Sequence, residues 1–305
     1  LLTSLNLSKC KGLTDVSPLS SLSSLTSLSL CRVSVRSCAP LLPLLPSITT
    51  LRLCQSRFPD LPAPLCGDSY NENVVDAVRA YFAALGTGST SNDEMKVFVL
   101  GNGRVGKTKL VGRLRAIPYA QIPEGSTHGV KLHDHEFPVP DVPHPVRLNL
   151  WDFGGQDIYH GTHALFLKGP AVYLLLWTPA LENDDEFVEG GVEHRNRRLE
   201  YWFDYLRAEV GEMQDGRRIV TSPVLLIQSQ CDTKSDEQEP PFCPDQTEFP
   251  NLYTLRVSAK KGRGMGEFIE KLQEAVAELF NHHPNPPLPQ SWVAVRANIR
   301  SLQSK

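Results

Sequence analysis

The chain has 305 residues, of which 31 are Lys or Arg and 34 are Asp or Glu, so its formal net charge is −3 at pH 7. Hydrophobic residues account for 41% and charged residues for 21%, which is typical of folded globular domains and excludes an intrinsically disordered chain. The charge balance disfavours a nucleic-acid-binding protein, and no apolar run approaches the roughly 18 residues that a membrane-spanning helix needs.

The seven cysteines include no C-x-x-C pair, and five of them precede residue 67. This set predicts neither a disulfide framework nor a zinc site, so we expect reduced, buried thiols and a cytoplasmic protein. The chain begins without Met and without a signal sequence, and we therefore expect it to be part of a longer protein.

The first 60 residues repeat an apolar pattern with a period of 23, at Leu2, Leu5 and Leu7, at Leu25, Leu28 and Leu30, and at Ile48, Leu51 and Leu53. This spacing is typical of leucine-rich repeats, whose short strands bury their leucines only by stacking on one another. Cys10 holds the place of a buried Asn or Cys, whereas Val33 and Ser56 follow in the later copies, so the pattern weakens. Residues 1–66 are predicted to end a repeat array that binds an unidentified protein partner.

Prolines end the repeats, and residues 67–92 are predicted to be a connector with a helix over 71–85. Strands and helices then alternate over 93–282, which predicts an α/β domain with a mostly parallel sheet and helices on both faces. The predicted strands are 95–100, 131–137, 147–151, 171–177, 223–228 and 252–257, and the predicted helices are 107–114, 192–210 and 266–280. Residues 283–305 are predicted to be a linker followed by the start of another helical domain.

The strongest motif is G-N-G-R-V-G-K-T, which matches the phosphate-loop pattern and lies between a predicted strand and a predicted helix. Its glycines let successive N–H groups point at phosphates, and the helix adds its positive N-terminal end. The lysine would neutralise the β- and γ-phosphates, and the threonine would place its hydroxyl on Mg²⁺. The nucleotide-binding residues predicted here are Gly101, Asn102, Gly103, Arg104, Val105, Gly106, Lys107 and Thr108.

A second motif, L-W-D-F-G-G-Q over residues 150–156, follows at the end of an apolar strand. Asp152 is placed to order the ligands of Mg²⁺, and the N–H of Gly155 could bind a γ-phosphate. Gln156 could orient the attacking water. These residues are informative because they lie downstream of a phosphate loop.

Together these motifs resemble a small Ras-like GTPase domain with its D-x-x-G-Q sequence. The order of repeats, connector helix and GTPase module, with W-D-F-G-G-Q-D-I-Y-H-G-T-H over 151–163, resembles the Roco family. The resemblance implies a Roc GTPase domain followed by a COR domain, of which residues 291–296 would be the first turns. It also implies that COR makes the full-length protein a homodimer, and that Thr127 closes on Mg²⁺ and the γ-phosphate.

The base-recognition sequence departs from the family pattern N/T-K-x-D, because Ser229, Gln230 and Cys231 precede Asp232. Asp232 can still accept two hydrogen bonds from guanine, whereas Ser229 is shorter than Asn and Gln230 lacks the cationic head of Lys. The motif Ser258, Ala259, Lys260 follows the last predicted strand, and the Ala259 N–H would face the guanine oxygen. We expect guanine specificity with weakened affinity.

The resulting hypothesis is a Mg²⁺-dependent switch that hydrolyses GTP to GDP and phosphate, with Lys107, Thr127 and Gln156 as its catalytic residues. Turnover is expected to be slow, because no arginine clearly supplies transition-state charge in cis. One alternative is a guanine-nucleotide-binding scaffold with negligible hydrolysis. Another is an ATP-using phosphate-loop enzyme, which would leave Asp232 and residues 258–260 unexplained.

Overall fold

A computed structural model of the chain describes residues 2–125, 127, 129–140, 142–154, 166–167, 169–189, 192–282 and 285–303. The chain divides into two compact units, Leu1–Asn92 with His283–Lys305, and Asp93–His282. No helix among these described residues is both long and apolar enough to cross a membrane.

The first unit begins with three short parallel strands, β1 (Ser4–Asn6), β2 (Ser27–Ser29) and β3 (Thr50–Arg52). Leu5 pairs with Leu28 and Leu28 with Leu51, so each step across the sheet advances 23 residues. Leu28 and Leu51 are almost fully buried against the 3₁₀ turns that connect the strands. The stacking expected from the period is therefore present, while the assignment to leucine-rich repeats remains a prediction.

The expectation that the repeat pattern weakens at Ser56 is wrong. Cys10 is exposed, whereas Ser56 is buried. The Ser56 hydroxyl donates to the carbonyl of Leu30 and accepts from the N–H of Val33 at 3.1 Å. A serine of the last repeat thus satisfies the buried turn backbone, because its hydroxyl can both donate and accept.

The edge of β3 is closed by Asn73 and Val74. The Asn73 side chain donates to the carbonyl of Thr49 and accepts from the N–H of Leu51, each at 2.9 Å. The main-chain N–H of Val74 donates to the Leu51 carbonyl at 2.9 Å. Helix α1 (Val75–Gly86) starts only after this contact, four residues later than the predicted helix.

Two short strands and a helix complete the first unit. Strand β4 (Ser89–Thr90) pairs antiparallel with β15 (Leu288–Pro289), and helix α5 (Gln290–Gln303) follows. The ring of Trp292 on α5 lies 5.6 Å from that of Tyr81 on α1.

The second unit is built on a six-stranded sheet. The strands are β5 (Glu94–Leu100), β6 (Val130–Phe137), β7 (Val146–Phe153), β8 (Ala171–Trp177), β13 (Val224–Gln228) and β14 (Leu252–Arg256). Their order in the sheet is β14-β13-β8-β5-β7-β6. Only β6 runs antiparallel to its neighbour, which confirms the predicted mostly parallel α/β fold.

Helices cover both faces of this sheet, and each face has its own apolar core. Helices α2 (Lys107–Leu114) and α4 (Met265–His282) contribute residues such as Leu110 and Leu272 to one core. Helix α3 (Leu199–Glu209) contributes Trp202 and Phe203 to the other. The central strand β8 is buried along its whole length, as a parallel strand covered on both faces must be.

The predicted helix 192–210 is wrong in its first part. Residues Val192–Arg195 form β10, which pairs with β9 (Glu186–Glu189), and the helix starts at Leu199. Both carboxylate oxygens of Glu182 accept the Leu199 N–H, at 2.9 and 3.2 Å, and so fix the first turn. A second unpredicted hairpin, β11 (Glu212–Gln214) with β12 (Arg217–Ile219), follows α3.

Candidate functional site

A cavity of about 570 Å³ lies at the carboxyl edge of the parallel strands. Because parallel strands end at the same edge, the segments that follow β5, β13 and β14 meet there. The predicted site residues that line it are Gly103, Arg104, Gly106, Lys107, Thr108, Thr127, Gln230, Asp232, Ala259 and Lys260. Within the described residues, its lining does not include Gly101, Asn102, Val105, Asp152 or Ser258.

The loop between β5 and α2 curls because of two glycines at its ends. Gly101 has φ +126°, and a Cβ there would lie 2.2 Å from the carbonyl oxygen of Leu176. Gly106 has φ +98° immediately before the first residue of α2. Both positions favour glycine, the first also because the backbone of a neighbouring strand passes so close. The loop therefore wraps around the cavity and enters α2 with its N-terminus facing inward.

Lys107 is held inside this loop by main-chain carbonyls. Its ammonium donates to the oxygens of Gly101 and Asn102, at 2.8 and 2.7 Å, and the residue is only 6% exposed. Burial lowers the pKa of Lys107 to about 8, against the opposing attraction of the Asp152 carboxylate. An anion in the cavity would compensate for the lost hydration of this ammonium.

Three oxygen-bearing side chains meet beside Lys107, although they come from distant parts of the sequence. The Thr108 hydroxyl donates to Asp152 Oδ2 at 2.7 Å and lies 3.0 Å from the Thr127 hydroxyl. The Thr127 hydroxyl lies 3.5 Å from the same Asp152 oxygen. Asp152 is fully buried, and its Oδ1 has no hydrogen-bond partner within the described part of the chain. Two hydroxyls and an unsatisfied carboxylate oxygen fit a hard cation such as Mg²⁺.

The segment after β13 is tied to the phosphate loop by two side chains. The Ser229 hydroxyl donates to the carbonyl of Val105 at 2.6 Å. The Gln230 side-chain amide donates to the carbonyl of Arg104 at 3.1 Å, and Gln230 itself has φ +62°. Although Ser229 is shorter than Asn, its hydroxyl reaches the loop directly.

Asp232 is positioned by the segment after β14. The buried hydroxyl of Ser258 donates to Asp232 Oδ1 at 2.5 Å and accepts the Lys261 N–H at 2.9 Å. Ala259 and Lys260 line the cavity beside this pair. The Asp232 carboxylate and the Ala259–Lys260 backbone therefore lie where they could hydrogen-bond one edge of a planar heterocycle.

Lys109 on helix α2 and the loop between α2 and β6 add lining residues that no sequence motif marked. Lys109 donates to the carbonyl of Ile122 at 2.7 Å and lies 4.6 Å from the ring centre of Tyr119. Lys109, Tyr119 and Glu124 all line the cavity. The aromatic residue in this loop was the one signal that could have indicated them. Gly155 and Gln156 lie outside the described residues.

Comparison with known proteins agrees with this arrangement. Residues 96–232 match the family described as "Ras of Complex, Roc, domain of DAPkinase". The chain is 28% identical over 161 residues to probable serine/threonine-protein kinase roco5 of Dictyostelium discoideum, covering 50% of this chain and 5% of that protein. It is 25% identical over 193 residues to Ras-related protein Rab-32D of the same organism, covering 62% of this chain and 76% of that protein.

Among solved structures, the chain is similar to Methanosarcina barkeri Roco2 RocCORdC bound to GDP. The sequence identity is 26% and the TM-score is 0.47, and the match covers 69% of this chain and 57% of that chain. The chain thus spans only a small part of the kinase relative and little more than half of this structure.

Proposed function

We propose that this chain, whose residues 96–232 belong to the Roc family of Ras-like domains, binds guanine nucleotide and hydrolyses GTP to GDP and phosphate. One observation carries the proposal. A single cavity is lined by a buried ammonium, by two hydroxyls that contact a buried carboxylate behind them, and by a second carboxylate beside an exposed turn. The ammonium suits a phosphate chain, the hydroxyls with their carboxylate suit the cation bound to it, and the second carboxylate suits a base.

The phosphates bind the main-chain N–H groups of residues 103–108 and the Lys107 ammonium. This ammonium is already desolvated, so little hydration is lost when it meets the negative oxygens. Thr108, Thr127 and Asp152 would hold Mg²⁺, which when bound neutralises charge on the β- and γ-phosphates. Gln156 orients the attacking water, as the family resemblance implies.

Asp232 accepts hydrogen bonds from the guanine edge, and the Ala259 N–H donates to the guanine oxygen. Adenine presents a donor where guanine presents that oxygen, so the same pair of groups rejects it. Ser229 and Gln230 keep these groups in register with the phosphate loop through their contacts to Val105 and Arg104. The groups that bind the base are thereby hydrogen-bonded to the loop that binds the phosphates.

Competition for a fluorescent GDP analogue in the presence of Mg²⁺ tests the base specificity. GDP and GTP should each compete at least about a hundredfold better than ATP, because mismatched buried polar groups stay unpaired. Equal competition by ATP would refute the guanine assignment. Single-turnover hydrolysis of GTP then separates a switch from a guanine-nucleotide-binding scaffold, which binds but does not turn over.

A Gln156→Leu variant tests the role given to that side chain. It should keep GDP affinity and lose most hydrolysis, since leucine cannot orient water. In the whole protein, the repeats would recruit a protein partner and a following COR domain would make a homodimer, as the Roco resemblance implies. Light scattering of the full-length protein with and without that domain tests the dimer.

A further inference from the structure

The side chain of Asn102 belongs to the phosphate loop but is turned away from the cavity. It is 6% exposed and hydrogen-bonded throughout. Its nitrogen donates to the carbonyls of Leu181 and Arg197, at 2.9 and 2.8 Å. Its oxygen accepts the Arg197 N–H at 2.9 Å and the Trp202 indole N–H at 3.3 Å. The two donors and both acceptor positions of the amide are all used.

Leu181 and Arg197 belong to the segment that connects β8 to α3, and Trp202 lies in the first turn of α3. The Asn102 amide hydrogen-bonds both the N–H and the C=O of Arg197, as a residue on a neighbouring antiparallel strand would. The same segment is closed by Glu182, which caps Leu199, and by Asn183, whose Oδ1 accepts from Asn196 at 2.9 Å. One side chain of the phosphate loop therefore anchors the base of the β9–β10 hairpin and the first turns of α3.

The other end of Asn102 lies against the phosphate-binding apparatus. Its main-chain carbonyl accepts the Lys107 ammonium at 2.7 Å, and Gly103 next to it lines the cavity. A phosphate that draws Lys107 away from this carbonyl changes the restraint on the Asn102 peptide. Arg197 and Trp202 then move with the Asn102 side-chain amide, because leaving a buried amide without its hydrogen-bond partners costs free energy.

We propose that Asn102 is a positioning residue that couples the phosphate loop to the segment from Leu181 to Trp202. Nucleotide binding at Lys107 and the environment of the Trp202 indole then change together. The inference rests on the proposed nucleotide binding and adds a route by which the nucleotide acts on the hairpin and α3.

NMR of the four tryptophan indole N–H groups tests this coupling. The Trp202 signal is assigned by its loss in Trp202→Phe. Trp177→Phe is the matched control, since the Trp177 indole N–H is buried without a hydrogen-bond partner among the described residues. GDP should shift the Trp202 signal in the wild type, and saturating GDP should fail to shift it in Asn102→Ala.

Affinities for GDP give the second readout. We expect about tenfold weaker binding in Asn102→Ala, about threefold weaker binding in Trp202→Phe, and no change in Trp177→Phe. If Asn102→Ala does not fold, the GDP affinities of Trp202→Phe and Trp177→Phe still test the coupling, because only Trp202→Phe should bind GDP more weakly. A Trp202 signal that shifts equally in Asn102→Ala, or does not shift in GDP-bound wild type, overturns the coupling. A wild type that binds no GDP refutes the proposed function instead.

Discussion

The hydroxyl of Ser229 donates a hydrogen bond to the main-chain carbonyl of Val105 at 2.6 Å, which joins the segment after β13 to the phosphate loop. The two residues are 124 positions apart in the chain. This contact explains how a serine can occupy a position where the family pattern has Asn or Thr.

Replacing Ser229 with alanine should therefore weaken nucleotide binding without changing base preference. Loss of one neutral hydrogen bond costs about 0.5–1.5 kcal/mol, which is about a two- to tenfold loss of GDP affinity. Dissociation of a fluorescent GDP analogue measures it. Ser235→Ala, an exposed serine outside the cavity lining, is the control. Unchanged GDP release in Ser229→Ala would show that the contact carries no affinity.

Asp232→Asn should remove most of the discrimination between GDP and ADP. The amide cannot accept both guanine protons, so we expect GDP affinity to fall by about 1.5–3 kcal/mol while ADP affinity stays nearly constant. Asp236→Asn provides a matched control, because Asp236 caps the turn at Thr233 and is outside the cavity lining. Isothermal calorimetry with both nucleotides is the measurement, and an unchanged affinity ratio would contradict the assignment.

Thr108→Val tests the cation site. Valine has the shape of threonine but cannot ligate, so Mg²⁺ should no longer slow GDP release in this variant. The ratio of GDP release rates with EDTA and with Mg²⁺ gives the effect, which should fall at least about tenfold. Thr254→Val, at an exposed position of β14, should keep the wild-type ratio. A Thr108→Val variant that behaves like Thr254→Val would place the cation elsewhere.

Nucleotide affinity should fall as the pH rises from 7 to about 9.5. Burial lowers the pKa of Lys107 to about 8, and only the protonated ammonium attracts phosphate. Binding therefore takes up a proton near pH 8, which calorimetry in buffers of different ionisation enthalpy detects. Lys107→Arg should remove this pH dependence, because guanidinium stays charged throughout this range.

The same shift acts on the folding of the nucleotide-free protein with the opposite sign. Below the folded pKa of about 8, the buried ammonium is charged and its desolvation opposes folding. The unfolded lysine keeps its proton up to about 10.4, so this penalty is relieved as the pH rises between these two values. Chemical unfolding at pH 8 and pH 10 should show a smaller loss of stability in the wild type than in Lys107→Arg.

Much of the α/β domain was predictable because its central strands are short continuous apolar runs with polar ends. Ala171–Trp177 is such a run, and its placement as a buried strand is confirmed. The β9–β10 hairpin was missed because Glu, His and Arg in residues 192–195 fit the polar face of an amphipathic helix. The sequence does contain a signal for the β11–β12 hairpin, because Asp-Gly is typical of two-residue hairpin turns. Asp215 and Gly216 form this turn, with φ +47° and +83°.

The candidate site was predictable where a local pattern carries it, as in the phosphate loop. The two motifs predicted Thr108 and Asp152 at a Mg²⁺ site, whereas Thr127 was added only through the family resemblance, because no local pattern shows that its loop reaches these two residues. The orientation of Asn102 was not predictable at all. Every partner of its side chain lies at least 79 residues away, so no local pattern records them.

The Asn73 amide at the end of the β3 strand has a consequence for self-association. A strand with a free row of N–H and C=O groups is a template on which another polypeptide can add. At β3, the carbonyl of Thr49 and the N–H of Leu51 are occupied by one side chain of the same molecule. Asn73 thus blocks strand addition at this edge. Its loss would leave the Thr49 carbonyl and the Leu51 N–H free to pair with a strand of another copy of the protein.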